Sequence, residues 1–308
     1  MSTSRTIVVV GSLNADLTVR THRLPRGGET VPGSPLSVQA GGKSSNQAVA
    51  AALLGASVHL VGAVGDDAHG RMLVDAARRA GVDVADVVTP AWAVTGTAVI
   101  IVDDEAENMI VISAGANGEL GPADVPADLL READVVCLAL EVPLPTVTYA
   151  AVTAAAAGGE VVLNLSPYQP VARELLEATS LVVLNEHELA SLAGADAADG
   201  DWERARSMLA AESVTRAVVT LGAAGCVVID GEKVTRLPAP KIAAVDTTGS
   251  GDAFTGALAA GLASGLDLVE AARLGVQAGA YAATGHGAQG SYATAEILSS
   301  WASEHQED

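Results

Sequence analysis

Short runs of β-branched and apolar residues alternate along this chain with alanine-rich stretches of helical character. The runs at 7–10, 58–64, 135–140, 161–164, 181–184 and 217–221 are almost continuously apolar, as strands buried on both faces are. Between them, 46–54, 71–80, 147–157 and 203–211 are helix candidates. That alternation predicts an α/β fold: a three-layer α/β/α domain around a mostly parallel sheet, with right-handed crossovers. Two stretches break the rhythm. Residues 17–40 and 95–113 lack helical period and alternate instead, most plainly over 97–102 and 109–113, which predicts antiparallel strands covered on one side. Edge hairpins of the main sheet would explain them. A small β-sheet lid explains better why two insertions of like character flank one pocket. After Pro240 a glycine-rich turn leads into helices at 252–263 and 268–284, and the run closes on 285–291.

Composition narrows the class. The chain has 308 residues, 49% hydrophobic and 18% charged, which suits a single domain over 1–308 with a sizeable core. A net charge of -20 argues against nucleic acid or an anionic membrane as partner. Cys137 and Cys226 lie far apart in apolar runs and read as buried small hydrophobes. Residues 1–5 are polar and the apolar run behind them is short, so neither a signal peptide nor a span is expected, and the location expected is cytoplasmic. The six histidines show no metal-ligand spacing, which speaks against zinc.

One turn carries chemistry. Asp246, Thr247, Thr248, Gly249, Ser250, Gly251 and Asp252 run from a β-like segment into a helix. Glycines let backbone N–H groups converge, and a helix N-terminus with such donors is an anion site. Asp252 beside a bound phosphate then reads as a base that accepts a hydroxyl proton during phosphoryl transfer. An aspartate capping its own helix explains the same residues. At another predicted helix start, Gly41, Gly42, Lys43, Ser44, Ser45, Asn46 and Gln47 mimic the end of a P-loop, but Ser37 stands where that motif needs glycine. Ser44 and Gln47 have capping-box spacing, which leaves the paired glycines unexplained. Gly11-Ser12-Leu13-Asn14 lacks the dinucleotide-binding glycine pattern, against an oxidoreductase.

Together the segments around Gly249–Asp252 and Gly41–Ala48 resemble the two signatures of the ribokinase-like (phosphofructokinase B type) carbohydrate kinases. The resemblance covers nearly the whole chain and includes Gly11–Asp16, Gly62–Asp67 and Asn185–Glu188. It is strongest toward the ribose-phosphorylating members, and implies ATP-dependent phosphorylation of D-ribose at O5. Asp252 would be the general base, with Gly249, Ser250 and Gly251 as anion hole. The sugar hydroxyls would meet Asn14, Asp16, Gly42, Lys43, Asn46, Glu141 and Asp252. The resemblance puts Asn164, Asn185, Thr220, Gly222, Gly225 and Gly251 on the ATP side. It puts Glu188 at Mg²⁺, directly or through water, and Asp246, Thr248, Ala282, Gly285, Gly287 and Ser291 around a K⁺ ion. His187, inside the same motif as Glu188, is expected to face solvent. Departures are Gly285 and His286 where relatives often carry basic residues, Gly290 where proline is common, and Ser44-Ser45 in place of Gly-Ala. The family also implies a homodimer through the lid. Alternatives are a kinase for deoxyribose or a nucleoside such as adenosine, or an inactive sugar-binding regulator. A 3% aromatic content weighs against an aromatic-lined base pocket.

Overall fold

Alternation inside the apolar runs decides how the main sheet is covered. In the computed structural model, which describes residues 5–105 and 107–305, Val8 and Val10 enter one core while Ile7 and Val9 enter another on the opposite face. Residues 1–4, most of the polar N-terminal stretch, lie outside the described part. The same two-sided pattern recurs in every central strand, because side chains alternate across a sheet.

The strands are β1 (Thr6–Val10), β2 (Asn14–Arg20), β3 (Ser37–Gly41), β4 (Ser57–Ala63), β5 (Val87–Val88), β6 (Gly96–Val102) and β7 (Asn108–Ser113). They continue with β8 (Val135–Ala139), β9 (Glu160–Asn164), β10 (Leu181–Asn185), β11 (Arg216–Thr220), β12 (Cys226–Asp230) and β13 (Lys233–Leu237). The helices are α1 (Lys43–Leu53), α2 (Ala68–Arg79), α3 (Ala127–Glu132), α4 (Leu144–Ala157) and α5 (Arg173–Glu177). After them come α6 (Glu186–Ala193), α7 (Trp202–Ala211), α8 (Ser250–Ser264), α9 (Leu268–Ala282) and α10 (Ala295–Glu304).

Nine strands form the large sheet in the order β13-β12-β11-β10-β9-β8-β1-β4-β5. From β11 to β5 the pairs are parallel, while β12 and β13 run antiparallel at one edge. Helices α3 to α7 bury Leu130, Val147, Leu175, Leu189 and Leu209 on one face; α1, α2, α8 and α9 bury Ala48, Leu73, Leu258 and Ala271 on the other. Strand order reverses between β1 and β8, the place where open α/β sheets leave a crevice at their carboxyl ends.

A second sheet, β3-β2-β6-β7, stands off the first. Its outer pairs are antiparallel, as the alternating stretches predict, but the central β2–β6 ladder is parallel, from Asn14↔Gly96 to Arg20↔Val102. The cause is topological: both strands depart from the carboxyl edge of the parallel sheet, one after β1 and one after β5, and so leave in the same direction. β2 also begins at Asn14 rather than at residue 17, so Asn14 and Asp16 are strand residues. The edge hairpin β12–β13 is a further addition to the predicted strands; Asp230-Gly231 at its turn, with Gly231 at φ 59°, is the signal for it.

Two local expectations need correction. α1 starts without a side-chain cap, so Ser44 and Gln47 form no capping box. Gly42 at φ 91° makes the turn, Ser44 Oγ is buried with no hydrogen-bond partner among the described residues, and Gln47 points instead at Asp252. Asp252 does not cap its own helix either; its carboxylate bonds to α1. Cys137 and Cys226 are free and buried, with burial pushing the Cys137 thiol up to about 12. Among the described residues no helix is long and apolar enough to cross a membrane.

Candidate active site

The carboxyl ends of β8, β9, β10 and β11 deliver Glu141, Asn164, Asn185 and Thr220 to one edge, and β2, α1 and α8 complete the site opposite them. Asp252 sits in the first turn of α8, 7% exposed. Asn46 Nδ2 donates to its Oδ2 at 3.0 Å and Gln47 Nε2 to its Oδ1 at 3.3 Å. Burial raises the Asp252 carboxyl above the ordinary range, while Lys43 and the two amides pull it back down. Around it stand two more acids. Glu141 Oε2 accepts from Ser12 Oγ at 2.5 Å and from the Lys43 N–H at 3.0 Å. Asp16 is pushed up to about 7, by burial first and then by Glu141 and Asp252, with Lys43 opposing. For Lys43, burial alone would lower the ammonium, but Asp252, Glu141, Glu188 and Asp16 together hold it above its usual value. Three carboxylates sharing one buried lysine form a pocket rich in acceptors, suited to hydroxyl groups.

The paired glycines now have a physical reason. A side chain at Gly41 would run into the Asp16 carboxylate. One at Gly42 would lie 2.7 Å from the Asn14 nitrogen, in a left-handed conformation besides. Asn14 is fixed from behind by Asn117, whose Nδ2 donates to Asn14 Oδ1 at 2.8 Å and to Leu13 O at 3.0 Å.

At the start of α8, Gly249 adopts φ 74°, and its carbonyl accepts from Tyr292 Oη at 2.9 Å. The Ser250 N–H is spent on Thr247 O at 3.2 Å. Among the described residues the N–H groups of Gly251 and Asp252 have no acceptor and are free for an anion. A cleft of about 240 Å³ runs from Lys43 and Asp252 past Gly251 to Asn164, Asn185, Glu188 and Thr220. Thr220, Thr247 and Gly251 are shared with a second, mostly apolar cleft of about 420 Å³ lined by Gly222, Gly225, Ile242, Phe254, Val276 and Ala280. Asn185 and Glu188 cap α6 reciprocally, Asn185 Oδ1 accepting from Glu188 N and Glu188 Oε2 from Asn185 N. His187, between them, is exposed. Further on, Asp246 ties two segments together, accepting from Thr248 N and from Gly287 N, both at 2.9 Å. Burial there is outweighed by these hydrogen bonds, which hold the Asp246 carboxyl below its usual value. Ser291 Oγ donates to Gly287 O at 3.0 Å, and Gly285 N to Ala282 O at 3.1 Å.

Residues 4–295 match the model of the pfkB family of carbohydrate kinases. The chain belongs to this family. A Haemophilus influenzae ribokinase is 35% identical over 293 residues, 94% of this chain and 96% of the relative. A Salmonella typhimurium deoxyribokinase is 33% identical over 304 residues, 96% of this chain and 98% of the relative. Among solved structures, Arabidopsis thaliana ribokinase complexed with ribose and ATP superposes with a TM-score of 0.88 at 31% identity, covering 96% of this chain and 98% of that one. As a pfkB carbohydrate kinase, the protein is a phosphotransferase.

The fold brings the sugar-side residues expected from sequence into one cluster around Lys43 and Asp252, and the nucleotide-side residues into the two joined clefts. Sequence reasoning missed the residues that orient that cluster: Ser12, Gln47, Asn117 and Tyr292. It also missed the apolar wall contributed by Ile242, Val276 and Ala280. The change of texture after Pro240 was its only trace.

Proposed function

We propose that this kinase transfers the γ-phosphoryl group of ATP to O5 of D-ribose, giving ribose 5-phosphate and ADP. One observation carries the reading: Asp252 lies where the hydroxyl-binding cluster meets the free N–H groups of the α8 N-terminus, on the path to the apolar cleft. The sugar hydroxyls bind among Asn14, Asp16, Gly42, Lys43, Asn46 and Glu141. Asp252 accepts the O5 proton as the new P–O bond forms. The Gly251 and Asp252 N–H groups, with the α8 dipole, hold the oxygens of the transferred group. Adenine fits the apolar cleft beside Gly222 and Gly225. The second sheet acts as a lid that excludes water, so the sugar oxygen receives the phosphoryl group. Exposed Met109, Ile110, Val111 and Ile112 on that sheet suit pairing with a second copy, and the proposed assembly is a homodimer through the lids.

Two ions fit residues at the site. Glu188 Oε1 is uncommitted to the cap and lines the phosphate cleft, suiting Mg²⁺, which when bound neutralises phosphate charge. Asp246, Thr248, Ala282, Gly285, Gly287 and Ser291 offer an all-oxygen set of carboxylate, hydroxyl and carbonyls, suited to K⁺ and placed to tension the turn into α8. The reading implies action in the cytoplasm.

A deoxyribokinase among the relatives makes deoxyribose the second reading. An ADP-release assay across ribose, deoxyribose, fructose and adenosine, with and without K⁺, is expected to favour ribose; preference for another acceptor overturns the substrate while leaving the family intact. Asp252→Asn is expected to lose at least about a thousandfold in kcat while still binding ATP. Near-normal turnover in that variant removes Asp252 as the base.

A further inference from the structure

One side chain from the 285–291 loop reaches into the site, and neither sequence signature contains it. Gln289 opens a short 3-10 turn, Gln289–Ser291, and its Nε2 donates to Ser45 Oγ at 3.0 Å and to Asn46 Oδ1 at 3.1 Å. Asn46 is 5% exposed, so its amide finds its partners inside the protein. Its other end, Nδ2, donates to Asp252 Oδ2 at 3.0 Å.

An amide has one donor end and one acceptor end, and either can face a given neighbour. If the Asn46 amide turned over, its carbonyl oxygen would face the Asp252 carboxylate, acceptor against acceptor. Its NH₂ would at the same time face the Gln289 NH₂, donor against donor. The Asp252 carboxylate, which only accepts, sets this orientation, and Gln289 donating to the Asn46 carbonyl holds it. Asn117 does the same for Asn14, so both sugar-side asparagines have their carbonyls occupied by a second amide.

We propose that Gln289 is a positioning residue for phosphoryl transfer: it fixes the Asn46 amide with its N–H toward Asp252 and its carbonyl away. The proposal rests on Asp252 as the base. The groups facing that carboxylate are the Asn46 and Gln47 amides and Lys43 from α1, Glu141 from the loop after β8, Asp16 from β2 and the Tyr292 hydroxyl. With burial and Glu141 favouring the protonated acid, weakening the Asn46 hydrogen bond moves the protonation of Asp252 to higher pH.

The test compares Gln289→Met and Gln289→Glu, at saturating K⁺, with Asp252→Asn and Asn46→Ala as references. Gln289→Met keeps the volume and removes the donor; its kcat is expected to fall about tenfold, with the acidic limb of the pH profile moved upward and KM for ATP unchanged. Gln289→Glu is expected to lose more, because a carboxylate only accepts and turns the Asn46 amide over. In the Asn46→Ala background, Gln289→Met is expected to add no further loss, the signature of action through Asn46. Should Gln289→Glu fail to fold, Gln289→Met and its cycle with Asn46→Ala decide alone. A wild-type kcat and pH profile in Gln289→Met overturns the lock, as does an equal loss with and without Asn46. Normal turnover in Asp252→Asn instead overturns the base on which the proposal rests, so the two failures are told apart.

Discussion

Asp16 shows at the residue scale what this binding cluster costs the ligand-free protein. Its carboxyl is raised from 3.8 to about 7 by burial, by Glu141 and by Asp252. An acid raised in the folded state contributes stability that is complete below its unfolded value and is lost as pH rises through the folded value. The window here is about pH 4 to pH 7. Asp16→Asn is therefore expected to stabilise the ligand-free protein at pH 8 by about 1–2 kcal/mol, a figure reduced for solvent screening of a partly exposed group, with no gain near pH 4. Urea denaturation at the two pH values measures this; a difference that does not change with pH contradicts the assignment. The same substitution is expected to raise KM for the sugar more than tenfold, since an acceptor for a hydroxyl becomes a donor that faces Lys43.

At the scale of elements, the junction of β3 and α1 matters most. Gly41 yields its side-chain space to the Asp16 carboxylate, and Gly42 lets the chain turn against Leu13 and Asn14. Gly41→Ala is expected to displace Asp16, raising KM for the sugar at least about tenfold while KM for ATP holds. Steady-state kinetics in both substrates checks this, and a change in ATP affinity instead would place the damage elsewhere. Such junctions also mark how far the sequence could be read. Continuous apolar runs gave away β1, β8, β9, β10 and β11, because burial on both faces leaves no room for polar residues. Two glycines and an aspartate at a helix start gave away the turn into α8, whose Gly251 and Asp252 N–H groups have no acceptor among the described residues. The parallel β2–β6 ladder was illegible, since alternation reports which side of a strand is covered and not the direction of its partner. The amides that orient Asn14, Asn46 and Asp252 come from residues 117, 289 and 47, each more than a hundred positions from its target, and a lone Asn or Gln has too many local uses to stand out.

At the scale of the whole molecule, the second sheet leaves an apolar row uncovered. Val111 is 66% exposed and Ile110 53%, on a strand whose register places Val111 against Val99. Val111→Glu is expected to break the proposed dimer into monomers in sedimentation velocity, with a loss of activity smaller than that of any sugar-cluster variant. A wild-type protein that sediments as a monomer overturns the dimer. The parallel ladder has one more consequence, for the growing chain on the ribosome. β2 finds β6 only after about eighty more residues, which at roughly 5–20 residues per second is a wait of about 4–16 s. Asp252 and Asn46 are 206 positions apart, so the proposed base and the N–H groups beside it arrive far later still. A chain arrested before α8 carries every proposed sugar residue except Asp252 and most of the nucleotide-side cleft, but lacks the Gly251 and Asp252 N–H groups, so an interrupted translation product is expected to bind without transferring.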